Sequence, residues 1–179
     1  CILQASYENW DKEHIGSHII RHCSIHDCGQ TGIVGHLGGV FSIIEDNHIY
    51  NINNKQNLAG AEIGGIKMHA AIDVIFRRNR IHHCTRGIWL DWQAQGTRVT
   101  QNLMYDNSLG FDKTRLNSDN VGEFLGSLGE DLFVEVSHGP TLVDNNIFLS
   151  ERSIKFASQG GAFVHNLFAG SLTCIGTGT

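Results

Sequence analysis

The chain has 179 residues, enough for one domain, and carries 13 Lys plus Arg against 18 Asp plus Glu for a formal charge of -5, which excludes a basic surface built for nucleic acid. Apolar residues make up 41%, enough to fill a core, yet no apolar run reaches the roughly 18 residues that span a bilayer, so neither nucleic acid nor a membrane is an expected partner. Gly supplies 21 residues and Pro one, a composition that predicts a turn-dense, strand-rich chain rather than a low-complexity one.

In chain order the short apolar runs fall into six units. With Cys23, Asn47, Asn79, Asn102, Asn145 and Asn166 as their reference positions, the residues three earlier are Ile20, Ile44, Phe76, Val99, Leu142 and Phe163. Those two later are Ile25, Ile49, Ile81, Met104, Ile147 and Phe168. All of these are apolar, and the spacing of 21 to 24 residues, lengthened twice, is that of one turn of a β-solenoid. The recurring Asn fits because it tolerates left-handed backbone and its amide can bond from turn to turn. No sustained 3.6-residue stripe predicts a helix, and the leucine spacing of a leucine-rich repeat is absent. The expected fold is therefore all-β, a right-handed parallel β-helix of about six to seven coils. Two insertions, near residues 51–60 and 107–130, should form loops on one face. Residues 1–179 read as one β-helix domain, expected to be a fragment of a larger chain because it opens at Cys1 without Met and stops at Thr179 just after a strand-like Cys174–Thr177 begins.

Aligning the second strand of successive units places Gly65-Ile66-Lys67-Met68-His69 beside Gly87-Ile88-Trp89-Leu90-Asp91 and then Asp131-Leu132-Phe133-Val134-Glu135. Alternation sends Ile66, Ile88 and Leu132, with Met68, Leu90 and Val134, into the core. Lys67, Trp89 and Phe133 then point outward, as do His69, Asp91 and Glu135. Strands about 4.8 Å apart put the Asp91 and Glu135 carboxyls roughly 5 Å apart, the separation a retaining glycosidase needs for a nucleophile and an acid/base. Two like charges so close should raise one pKa. Solvated surface charge is the plainer reading of such a pair. Trp89 is expected to expose a flat ring of the kind sugars stack on, and the 107–130 insertion to wall a pocket. Glu62, Lys67, His69 and His138 are the expected substrate-binding residues around the pair.

The histidines and cysteines carry less. His22, Cys23, His26 and Cys28 have zinc-like residue types, but they sit at a turn from which the side chains diverge; His82, His83 and Cys84 follow the same logic. No metal or cofactor is expected. Five cysteines at irregular spacing read as reduced thiols, pointing to a cytoplasmic protein, although a targeting segment before Cys1 is compatible with the sequence.

The stretches Ser17–Gly39, Ala61–His69, Gly87–Asn102 and Asp131–Asn146, with Trp-Leu-Asp-Trp-Gln-Ala-Gln-Gly-Thr at 89–97 and Leu-Phe-Val-Glu-Val-Ser-His-Gly-Pro at 132–140, resemble family 120 of the glycoside hydrolases. That family comprises β-helix β-xylosidases that act with retention and carry an additional β-sandwich region. The resemblance implies that Asp91 is the nucleophile, Glu135 the acid/base and Glu62 a carboxylate at the substrate site, with xylo-oligosaccharides as substrate and exo action on short β-xylosides. The 107–130 segment is an expansion relative to the family. Two other functions stand beside this one: a polysaccharide lyase or epimerase on the same fold, which would want a Ca²⁺ site and a basic residue, and a noncatalytic carbohydrate-binding solenoid.

Overall fold

The computed structural model of the chain describes residues 2–4, 15–36, 39–58, 62–107 and 129–175. Among them every regular element is a strand, and every strand pairing is parallel. Three sheets run the length of the stack, one of seven strands and two of six. The first contains Thr31–His36, Gly64–His69, Ile88–Asp91, Glu130–Ser137 and Arg152–Ser158; the second contains Ile43–Glu45, Ile75–Arg77, Thr97–Thr100 and Thr141–Asp144; the third contains His48–Ile52, Arg80–Cys84, Leu103–Tyr105 and Ile147–Phe148. The chain visits second, third and first sheet in turn and then repeats, giving six three-strand coils preceded by the strand Ile2–Gln4. This is the expected parallel β-helix.

The interior is a stack of apolar side chains, one layer per coil: Ile44, Ile49, Ile66 and Met68, then Phe76, Ile81, Ile88 and Leu90, then Val99, Met104, Leu132 and Val134, all inaccessible to solvent. Sequence-distant strands thus bury one another's β-branched and long aliphatic groups, the main favourable contribution to such a stack. At the start of the first-sheet strands the coils approach too closely for side chains. A Cβ on Gly65 would stand 2.8 Å from Gly87 O, and one on Gly87 would stand 2.3 Å from Asp131 O, so this corner requires glycine in successive coils.

At the corner between second and third sheets runs an asparagine ladder. Asn79 Oδ1 accepts from both the backbone N–H and the amide of Asn47, Asn102 Oδ1 does the same for Asn79, Asn146 Oδ1 for Asn102, and Asn166 Oδ1 for Asn146, all within 2.9–3.1 Å. Each ladder amide also donates to a carbonyl of the preceding coil, as Asn102 Nδ2 does to Phe76 O and Asn166 Nδ2 to Val143 O. In the fifth unit the ladder residue is Asn146, not the expected Asn145. Val143 and Phe148 are fully buried there, whereas Leu142 and Ile147 are exposed; both registers offer apolar residues, and only the one-residue shift that carries the amide inward also carries the larger ring into the core.

The insertion expected at 51–60 extends the third-sheet strand His48–Ile52 and continues into a turn over the described residues to 58. Most of the one at 107–130 lies outside the described residues, as do Gly176 and Thr177 of the last expected strand.

Candidate active site

The strand register is the one read from alternation: Ile88, Trp89, Leu90 and Asp91 pair with Ile66, Lys67, Met68 and His69 on one side and with Leu132, Phe133, Val134 and Glu135 on the other. His36 pairs with His69 in the coil before. One outward column therefore reads His36, His69, Asp91, Glu135 over four coils.

Immediately after this column the backbone turns. Ala70, Trp92 and Val136 have φ of 51°, 47° and 45°, left-handed values that are uncommon for any residue with a Cβ and least expected for a β-branched one. Coil-to-coil hydrogen bonds persist through the turn, from Ala70 N to Trp92 O (2.9 Å) and from Trp92 N to Glu135 O (3.1 Å). Past Glu135 the register with Arg152–Ser158 also slips, between Val134 and Ser137. A bulge of this kind re-aims a side chain at the edge of a sheet, and here it lies at Glu135.

Lys67 organises the near side. Its Nζ lies 2.8 Å from Asp91 Oδ2, 3.2 Å from Glu62 Oε1 and 3.3 Å from His69 Nε2, and its side chain is fully buried. His69 Nε2 is 2.8 Å from Glu62 Oε1. Glu62, His69 and Asp91 have the residue types and mutual distances of a metal-ligand group, but the ammonium already stands among them and supplies the cation. The hydrogen bond from His69, with the Lys67 charge behind it, holds the Glu62 carboxyl at about 2 against the opposing effect of burial. At this site two buried oxygens, Asp91 Oδ1 and Glu62 Oε2, have no hydrogen-bond partner among the described residues, nor has His69 Nδ1. Buried oxygens of that kind are what a ligand's hydroxyl or carbon centre can meet.

On the far side Glu135 is half-buried and accepts a 3.0 Å hydrogen bond at Oε2 from Trp89 Nε1. Burial raises its pKa and the Asp91 charge raises it further, while Arg86, the Trp89 hydrogen bond and Lys67 pull the other way. The two carboxyls thus have different surroundings: Asp91 bears an ion pair with Lys67, and Glu135 is biased toward its proton. That asymmetry is what general acid and nucleophile roles require.

Several expected binding residues change part. Lys67, Trp89 and Phe133 do point away from the core, but they are only 0%, 4% and 3% exposed. Trp89 cannot offer its face to a sugar, because Lys67 Nζ lies 3.6 Å and Arg86 Cζ 4.2 Å from its ring centroid. Lys67 is held by carboxylates rather than presented to solvent. His69 is 12% exposed at its side chain, within reach of the site. His138 is exposed on the far side of the bulge. The aromatic ring that does face solvent is Trp92, 55% exposed and edge-on to His69 with centroids 5.3 Å apart. Strict alternation assigns Trp92 to the core; its left-handed backbone turns it out. Arg86 and His36 were also missed.

The His and Cys clusters resolve into local partners. Cys23 Sγ donates to Arg21 O and Cys28 Sγ to His26 O, while His26 Nδ1 meets Asp27 at 2.6 Å. His48 and His82 share a hydrogen bond between their Nε2 atoms, 2.8 Å, within a stack that includes Tyr50 and Tyr105.

The family profile described as "Right handed beta helix region" matches residues 10–171. Among solved structures, XylC in complex with xylose matches with 52% sequence identity and a TM-score of 0.74, over 89% of this chain and 23% of XylC; this chain therefore spans under a quarter of that relative's length. Comparison with curated proteins finds no match. The family 120 resemblance carried by the two motif strings is borne out by the XylC match. With the profile covering far more than half of the sequence, the chain belongs to the right-handed β-helix family.

Proposed function

We propose that these coils carry the active site of a xylosidase-like glycoside hydrolase that acts with retention on short β-xylosides from the chain end, with Asp91 as nucleophile and Glu135 as acid/base. The observation that carries the reading is the pairing of Asp91 with Glu135 on adjacent parallel strands; the likeness to XylC, a protein solved with xylose, supports the sugar. In the first step Asp91 Oδ1, the carboxylate oxygen not engaged by Lys67, attacks the anomeric carbon while the glycosidic oxygen leaves with the proton of Glu135. In the second step Glu135 takes a proton from water, the resulting hydroxide adds to the same carbon, and the Asp91 ester bond breaks to release the sugar. In this reading Glu62 Oε2 and His69 bind sugar hydroxyls, and Trp92 covers one face of the ring. Lys67 acts by holding Asp91 and Glu62, a role that leaves it unsuited to serve as the base of a lyase.

Product stereochemistry tests this reading. The full-length protein acting on an aryl β-xyloside should release β-xylose first, followed by NMR before mutarotation; α-xylose as first product, or an unsaturated product, would overturn it.

A further inference from the structure

Arg86 is a large charged side chain with 1% exposure, and the two-step reaction gives it no part. Its Nε lies 2.9 Å from Glu130 Oε2, which is itself buried, and its guanidinium stands 4.2 Å from the Trp89 centroid and 4.4 Å from that of Phe133. A buried ion pair of this kind costs desolvation and is weak evidence of stability, so its placement calls for another reason. What it touches is the indole whose N–H reaches Glu135.

We infer that Arg86 and Trp89 are positioning residues for Glu135: Arg86 fixes the plane of the indole, and the indole N–H decides which carboxyl oxygen carries the catalytic proton. The inference rests on the assignment of Glu135 as acid/base. An indole nitrogen can only donate, so the oxygen it meets must act as acceptor. In the protonated carboxyl the better acceptor is the carbonyl oxygen. Trp89 therefore makes Oε2 the carbonyl and leaves the proton on Oε1, the oxygen free to meet the glycosidic oxygen. Cations at 3.6 Å and 4.2 Å, Lys67 and Arg86, hold the ring by attraction to its π-electrons and add positive potential beside the carboxyl.

The charged groups around Glu135 among the described residues are Asp91 in the preceding coil, with Lys67 and Arg86 behind it; Lys155 of the following coil lies over Phe133, 4.8 Å from its centroid. Asp91 favours the protonated form, whereas Arg86, Lys67 and the indole N–H favour the ionised one. The acid must be protonated for the first step, so kcat/KM falls as pH rises through its pKa. Removing the indole donor raises that pKa and shifts the alkaline limb upward.

The test uses the full-length protein and the variants Trp89→Phe, which leaves the Arg86–Glu130 pair in place, and Arg86→Lys, which keeps the charge and loses the planar stack. Trp89→Phe should move the alkaline limb up by about half to one pH unit. It should lower kcat/KM about 10- to 100-fold on a methoxyphenyl xyloside but by less than about threefold on a dinitrophenyl xyloside, whose leaving group needs no proton. Arg86→Lys should shift both readouts the same way and less. A Trp89→Phe enzyme with an unmoved limb and equal losses on both substrates would overturn the inference. A Glu135→Gln enzyme that keeps the wild-type limb would instead show that Glu135 is not the acid, and both claims would fall together.

Discussion

Two columns run along the same stack of coils and solve opposite problems. In the asparagine ladder five successive coils use the same residue, and both the carbonyl and the amide of Asn79, Asn102 and Asn146 are bonded. In the column His36, His69, Asp91, Glu135 two histidines give way to two different carboxylates, and Asp91 Oδ1 has no protein partner among the described residues. A solenoid satisfies its buried polar groups most cheaply by repeating one residue; where it stops repeating and leaves polar atoms unbonded, the arrangement is directed at something outside the chain.

The comparison can be broken by removing a residue from either column. The largest effect belongs to Asp91→Ala in the full-length protein: no glycosyl ester can form, and turnover per folded molecule should fall about 10⁴-fold on every leaving group. Azide should restore some product as the α-azide, whereas Glu135→Ala with azide should yield the β-azide; the opposite pattern would exchange the two roles.

From the other column, Asn102→Ala deletes an amide bonded to Asn79, Asn146 and Phe76 O and leaves buried backbone groups unpaired. It should cost about 2–4 kcal/mol in denaturant unfolding while the activity per folded molecule stays near wild type. A loss of activity without a loss of stability would erase the distinction between the columns.

A smaller effect sharpens it by pH. Burial pushes Asp131 up to about 6, against hydrogen bonds from Ser150 and Asn107. An acid whose pKa is raised on folding stabilises the fold fully below its unfolded value, and that contribution is lost as pH rises through the folded value. Stability from this group should therefore decline between about pH 4 and 6, by on the order of 3 kcal/mol. Asp131→Asn should flatten that slope whatever it does to the absolute midpoint. The smallest change is expected from Trp92→Ala, which should raise KM about fivefold to tenfold, worth about 1 kcal/mol of sugar stacking, and leave kcat and the pH limbs in place.

The repeat and the pairing of Asp91 with Glu135 were legible in the sequence because both follow from period-2 alternation summed over coils, a signal that survives one ambiguous unit. That unit, around Asn145 and Asn146, was misread because Leu142 and Val143, like Ile147 and Phe148, are all apolar, so hydrophobicity could not choose between adjacent registers. Trp92 was out of reach for a different reason: alternation presumes extended backbone, and a left-handed residue at 92 ends it. For Lys67 and Trp89 alternation gives the direction, away from the core, but not the burial. The cover of Trp89 includes Arg86, a residue that precedes the strand and folds back over the indole, and no periodicity predicts such a contact.

Asp91 and Glu135 are neighbours in space but 44 residues apart in sequence. The described residues on either side of 108–128 are pinned to the stack, with Asn107 Nδ2 bonded to Asp131 Oδ1 at 2.8 Å and Gly87 N to Glu130 O at 2.9 Å. Since doubling a loop's length costs only about 0.6 kcal/mol in closure entropy, the segment between the pins is free to lengthen, shorten or be exchanged while the carboxylates keep their spacing. The pairing of the two carboxylates is thus set by the strands on either side and not by the length of chain that joins them: exchanging the segment between Asn107 and Glu130 for one of another length should leave that pairing in place.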